Sequence, residues 1–242
     1  MSKRLRMFAG PNGSGKSTVK SVVPSAFLGV YLNPDEIEIE VKRNDYYELR
    51  GLNLSVTTEE VNQFFDAHPL MERASERDYF GSIKVANDGE FISFADAPFN
   101  SYLSAILTDF LRQKLIQAGR SFTFETVMSS ADKLNTLQTA QQEGFRTYLY
   151  YVATESPQIN ITRIQHRVRA GGHAVPTNKV IERYHRSLGL LLDAIRLTNR
   201  AYIFDNSGTS RRWVAEITNG VDIQLHTNAV PNWFREAVLE EL

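Results

Sequence analysis

The eight residues GPNGSGKS at positions 10–17 constrain this chain more than any other part of it. They fit G-x-x-x-x-G-K-[ST] without a mismatch, and their setting agrees. Leu5–Ala9 ahead of them is apolar and strand-like, and Thr18–Val23 after them suits the first turns of a helix. Strand, glycine-rich turn and helix in that order predict a phosphate-binding loop. Gly10, Gly13 and Gly15 let the backbone curl and approach an anion closely. Consecutive backbone N–H groups then point at the phosphates, and the helix N-terminus adds partial positive charge. Gly10, Pro11, Asn12, Gly13, Ser14, Gly15, Lys16, Ser17 and Thr18 are therefore the candidate nucleotide-binding residues. Lys16 is expected to reach the β- and γ-phosphates, and the Ser17 hydroxyl to ligate Mg²⁺.

The remaining composition narrows the function classes. With 242 residues, 42% hydrophobic and 23% charged, the chain is ordinary globular protein. A net charge of −1 argues against nucleic-acid binding by bulk charge. No run approaches the length of a membrane span. Lys3, Arg4 and Arg6 precede an apolar run that ends at Gly10, too short for a signal peptide. The absence of cysteine excludes disulfides and thiolate metal sites and fits a cytoplasmic protein. Charge is uneven along the chain: residues 35–96 hold 15 acidic and 6 basic residues, whereas 160–200 hold 8 basic and 2 acidic ones.

Five segments read as buried strands: Leu5–Ala9, Gly29–Asn33, Ser121–Thr126, Arg146–Thr154 and Ala201–Asp205. Helical patterns lie between most of them, which predicts an α/β fold, a three-layer sandwich with a mainly parallel five-stranded sheet. Leu103, Ile106, Leu107 and Phe110 mark a helix near 98–118. Further helices are expected near 131–143, from Pro157 with Ser156 as cap, and from Thr177. The tail reads as a short strand near 222–226 and a last helix from about Pro231. Residues 42–96 interrupt the alternation and read as an insertion in one domain covering 1–242. Within it Thr57–Ala67 suggests a capped helix, and Asn87-Asp88-Gly89 marks a hairpin between Ser82–Val85 and Glu90–Phe94.

Three constellations carry chemistry. Asp35 follows the second strand, and ligands in parallel sheets sit beyond the carboxyl ends of strands. A carboxylate there can orient an acceptor hydroxyl and take its proton; capping of the next helix is the structural alternative. Glu125 ends the apolar strand FTFET, where a charge needs a partner. It suits a water-mediated Mg²⁺ contact or the substrate hydroxyl, with Thr126, Ser129 and Ser130 nearby. Residues 156–187 form the third. Arg163 and Arg167 are spaced i, i+4, Arg183 and Arg186 are i, i+3, and the loop AGGHAVP lies between the two helices. Arginines on two helices around a glycine turn suit a lid closing over a triphosphate. A solvated basic face or an RNA-binding patch is the other reading. His173, in that loop, matches no metal-ligand spacing. The turn Asp205-Asn206-Ser207-Gly208 lies either by a nucleotide base or is a simple turn.

Together these residues resemble the zeta-toxin family of P-loop kinases, most closely its predicted-ATPase branch. The resemblance rests on Met7–Asn33, Asp35, the strand ending in Glu125, and RVRAGGHAVP followed by ERYHRSL. It implies a sheet order of 2-3-1-4-5 and an ATP- and Mg²⁺-dependent kinase for a hydroxyl of UDP-N-acetylglucosamine. It assigns Lys16 and Ser17 to nucleotide and metal and makes Asp35 the base. Glu125 falls near the substrate, and Arg163 and Arg167 fall on the transferring phosphate. It also implies a small-molecule acceptor, a nucleotide sugar, and an inhibitory antitoxin as partners. Two departures stand out. The glycine and arginine that the toxins carry after the glutamate are replaced here in Glu125-Thr126-Val127-Met128-Ser129-Ser130, and the acidic 42–96 segment is additional. Two other functions fit the residues: a kinase acting on RNA ends, which requires salt-dependent RNA affinity, and a regulatory nucleotide-binding module without transfer activity.

Overall fold

Residues 2–21, 23–72, 83–95, 99–172 and 174–241 are described by the computed structural model. The chain divides into two compact units, one formed by Met1–Gly29 with Ser121–Leu242 and the other by Val30–Arg120. In chain order the first unit begins with β1 (Arg4–Ala9) and α1 (Lys16–Lys20). The second holds β2 (Val30–Leu32), α2 (Pro34–Asn44), β3 (Tyr46–Glu48), α3 (Thr58–Ala67), β4 (Lys84–Ala86), β5 (Phe91–Ser93) and α4 (Ser101–Gln117). The first unit resumes with β6 (Phe122–Thr126), α5 (Asp132–Gln142), β7 (Arg146–Ala153), α6 (Pro157–Arg169) and α7 (Thr177–Gly189). It ends with α8 (Leu191–Arg196), β8 (Arg200–Asp205), β9 (Arg212–Thr218), β10 (Asp222–Leu225) and α9 (Asn232–Phe234).

The first unit is a sheet of order β10-β9-β8-β7-β1-β6. β6, β1, β7 and β8 run parallel, so the expected order third-first-fourth-fifth holds for the sequence-read strands of this unit. β9 and β10 add an antiparallel edge. β9 is a strand the sequence reading does not anticipate, and it enlarges the expected five-strand count. Apart from Arg4, every residue of β1 is buried, as a central parallel strand covered on both faces requires. Phe8, Val19, Val23, Leu28, Tyr150, Val152 and Phe204 form one buried cluster against which α1 packs. Parallel register aligns the strand ends: Ala9 faces Thr126 and Tyr151, and Ala153 faces Asp205. The loops that leave these ends, after β1, β6, β7 and β8, therefore share one edge of the sheet.

In the second unit α2 and α4 pack together, and β3, β5 and β4 form a small antiparallel sheet. The expected hairpin is present. Asn87 and Asp88 take left-handed conformations, φ 49° and 52°, which asparagine and aspartate tolerate best among non-glycine residues. Thr57 caps α3 in a reciprocal capping box with Glu60. Asn100 caps α4 by accepting from the Tyr102 and Leu103 N–H groups. Ser82, the first residue of the expected hairpin strand, lies outside the described residues. Among the described residues no helix is long and apolar enough to cross a membrane.

Candidate active site

Residues 10–15 leave β1 as a tight turn and deliver Lys16 to the start of α1. Two glycines are required by close approach as well as by backbone angle. Gly10 has φ 144°, and a Cβ there stands 2.0 Å from the Val152 carbonyl oxygen of β7. Gly13 has φ 78°, and its Cβ stands 2.7 Å from the Asn160 carbonyl oxygen of α6. The loop is thus pressed between the end of β7 and the start of α6. Gly13→Ala is expected to strain the turn and push α6 away, destabilising the fold by more than about 1 kcal/mol. Thermal unfolding of the variant checks this.

Lys16 Nζ donates to the Gly10 and Pro11 carbonyls at 2.9 and 3.2 Å, so its ammonium lies over the turn. Ser17 and Thr18 are exposed on the first turn of α1, and Thr18 Oγ1 donates to the Gly15 carbonyl at 2.6 Å. Ser14 is buried, and its Oγ has no hydrogen-bond partner among the described residues. Glu125, half-buried, stands on β6 opposite Phe8, two residues before the phosphate loop begins. Thr126 Oγ1 accepts from the Met128 N–H at 3.0 Å. Met128 is buried with φ 51°, a left-handed conformation that glycine adopts without cost.

The basic segment folds as the expected pair of helices. Pro157 opens α6 with Ser156 in the cap position, although the Ser156 side chain makes no capping bond. Thr154 Oγ1 donates to Asn160 Oδ1 at 2.6 Å and so fixes the first turn of α6 to the end of β7. Arg163 Nη2 donates to the Gly208 carbonyl at 3.3 Å, and its buried Nη1 has no partner among the described residues. Arg167, exposed, follows one turn later, and its Cγ occupies the space a Cβ on Gly172 would need, at 2.7 Å. On α7 Val180, Tyr184 and Ser187 are buried. The Tyr184 hydroxyl donates to the Thr154 carbonyl at 2.5 Å. Burial, with the negative charges of Glu155, Asp205 and Glu236, holds its pKa above the ordinary phenol value and keeps it a donor. That anchor sets Arg183 against the phosphate loop, where Nη1 donates to Asn12 Oδ1 at 3.4 Å. Arg186 instead pairs with Glu182 on the surface at 2.5 Å. Sequence spacing groups Arg183 with Arg186; only the anchoring of Tyr184 separates their fates. His173 lies outside the described residues.

The turn after β8 closes this side. Asp205 is 1% exposed, accepting from Ser207 Oγ at 2.6 Å, Trp233 Nε1 at 3.1 Å and Arg212 Nη2 at 2.8 Å. Burial pushes its carboxyl up, but the bonds from Ser207, Arg212 and Trp233 outweigh it and hold the pKa below the usual carboxylate range. A depressed folded-state pKa gives stability that is present above the unfolded value and lost as pH falls through the folded one. Asp205→Asn is expected to destabilise the protein by about 1–3 kcal/mol near neutral pH. The difference should shrink below about pH 4, as urea unfolding across that range would show.

Asp35 belongs to the second unit, at the second residue of α2. Asn33 is the cap, its Oδ1 accepting the Asp35 N–H at 3.0 Å, and Pro34 opens the helix. The capping that the sequence offers as an alternative role is thus performed by Asn33. The Asp35 side chain is exposed and makes no hydrogen bond among the described residues.

The geometry can be set beside known proteins. The zeta toxin family model matches residues 101–217, just under half of the chain. An uncharacterized protein of Haemophilus influenzae is 28% identical over 109 residues, covering 43% of this chain and 76% of its own. In the PezAT chromosomal toxin–antitoxin system of Streptococcus pneumoniae, a chain with 14% identity superimposes with a TM-score of 0.51, over 100% of this chain and 80% of that one. The AvrRxo1-ORF1:AvrRxo1-ORF2 complex gives 12% identity and a TM-score of 0.52 both with sulphate ions and with ATP. Those alignments cover 96% and 93% of this chain but only 65% and 61% of the other. At these identities the likeness is one of fold: an α/β architecture with a mainly parallel central sheet flanked by helices.

Proposed function

We propose that this chain, which the zeta toxin family model matches over residues 101–217, is an ATP-dependent kinase transferring the γ-phosphoryl group to a hydroxyl of a nucleotide sugar, with UDP-N-acetylglucosamine the first acceptor to try. The observation that carries the reading is the arginine at the loop: Arg183 touches Asn12 of the phosphate loop while Arg163 is fixed on the neighbouring turn. A phosphate loop alone binds nucleotide. Fixed guanidinium groups beside it stabilise the charge that develops on a phosphoryl group in flight.

The residues divide the work as follows. The backbone N–H groups of Gly13, Gly15, Lys16 and Ser17 cradle the phosphates, while those of Ser14 and Thr18 brace the turn by donating to the Pro11 and Gly15 carbonyls. Lys16, now bonded to its own loop, swings its ammonium onto the β- and γ-oxygens. Arg163 and Arg167 neutralise the moving group together with Arg183, which the structure holds at the loop, and Asp35 accepts the proton of the acceptor hydroxyl. Ser17, exposed on the first turn of α1, offers the hard oxygen that Mg²⁺ prefers, and Glu125 a carboxylate for a water of its shell. Mg²⁺, when bound there, supplies neutralisation of phosphate charge. The PezAT relative is part of a toxin–antitoxin system, and a protein inhibitor of this chain belongs to the same proposal.

ADP release by the purified protein with Mg-ATP, with and without UDP-N-acetylglucosamine, tests this. The reading expects release that depends on the acceptor. ATP binding without release for any hydroxyl acceptor would leave a regulatory nucleotide-binding module instead.

A further inference from the structure

We propose that Asn206 is a positioning residue of the phosphate loop, its side-chain amide fixing the Ser14–Gly15 peptide so that the Gly15 N–H faces the bound phosphate. The inference rests on the nucleotide-binding part of the reading above. It starts from the geometry of one peptide. In a trans peptide the carbonyl and the next N–H point in opposite directions across a rigid plane. A loop that turns its N–H groups inward to an anion must therefore turn the matching carbonyls outward. Ser14 is buried, so its outward carbonyl needs a donor other than water. Asn206 Nδ2 is that donor, at 2.8 Å.

The donor is itself held. Asn206 directly follows β8, and its backbone N–H donates to the Ala153 carbonyl at the end of β7, at 2.9 Å. Gly15 makes room: a Cβ there stands 2.3 Å from Asn206 Nδ2, so only glycine lets the amide reach Ser14. The next residues of the turn extend the hold. Ser207 Oγ accepts the Glu155 N–H at 2.8 Å ahead of α6, and the Gly208 carbonyl receives Arg163. Residues 205–208 thus tie the loop, the start of α6 and an arginine to one strand end. This differs from both sequence readings of the turn, a base contact or a simple turn.

Binding of ATP and of inorganic tripolyphosphate to the full chain and to Asn206→Ala and Asn206→Leu tests the assignment. Tripolyphosphate has phosphates and no base. Both variants should lose about tenfold in affinity for either ligand, and should melt at a lower temperature because the buried Ser14 carbonyl loses its donor, while remaining folded at the temperature of the binding measurement. At saturating tripolyphosphate the Gly15 amide resonance should shift in the wild type and shift less in the variants. Asn206→Leu keeps the shape, removes the donor and adds no charge that would itself repel phosphate, so it decides the matter if the alanine variant fails to fold. Unchanged tripolyphosphate affinity would overturn the proposal, as would a loss confined to ATP, which marks a base contact. Because the readout is binding, a wild-type protein that binds ATP without transferring phosphoryl would end the kinase reading and leave this test intact.

Discussion

Lys16→Ala is expected to reduce acceptor-dependent turnover by at least about 100-fold, the usual cost of removing one donor from a developing oxyanion. The size follows from what the ammonium does. In the structure Nζ bridges the Gly10 and Pro11 carbonyls, so the charge is already placed at the mouth of the loop. Moved onto the β- and γ-oxygens, it offsets charge in the part of the ATP where the transition state concentrates it. The fold should lose little, about 1 kcal/mol for the two backbone bonds. Lys16→Arg should not restore the rate, because a planar fork cannot take the place of a compact ammonium inside a tight turn. Steady-state ADP release at saturating ATP measures the effect. A variant turning over like the wild type would remove the loop from the chemistry.

Asp35→Asn is expected to lower turnover by about 10²–10⁴-fold, the range for losing a general base, while ATP affinity stays within about twofold of wild type. The structure sharpens the experiment. Asn33, not Asp35, caps α2, and the Asp35 carboxylate is exposed. The substitution is isosteric and leaves the cap in place; loss of a first-turn carboxylate costs the helix about 0.3–1 kcal/mol, far less than the expected change in turnover. A fall in activity with helicity and melting little changed points to proton transfer. Normal turnover would end the assignment of Asp35 as base.

Much of the first unit was legible because its signals are local. The phosphate loop is a contiguous string, and the parallel strands are apolar runs whose ends carry Glu125 and Asp205. The helix after β7 announces itself through Ser156 and Pro157. What escaped depends on residues far apart in sequence. β9 mixes exposed and buried positions and shifts register at Ile203 and Phe204, so it lacks clean alternation. Arg183 became a loop contact only because Tyr184 finds the Thr154 carbonyl. Asn206 shows in the sequence as an ordinary turn residue; its partner, Ser14, lies 192 positions away. The second unit differs for another reason. The limits 42–96 mark where the alternation of strands and helices breaks, a local pattern that does not record which helices pack together. α4 packs on α2, and compactness therefore groups Val30–Arg120.

The central claim is phosphoryl transfer to a sugar nucleotide, and the most direct test is the mass of the acceptor. Purified protein, Mg-ATP and UDP-N-acetylglucosamine should yield a sugar nucleotide heavier by about 80 daltons, one phosphoryl group in place of one hydrogen. At a reaction time that converts a small fraction of acceptor with the wild type, product should be reduced by at least about 100-fold with Lys16→Ala and with Asp35→Asn. An acceptor of unchanged mass, recovered from a protein that binds ATP, would contradict the account.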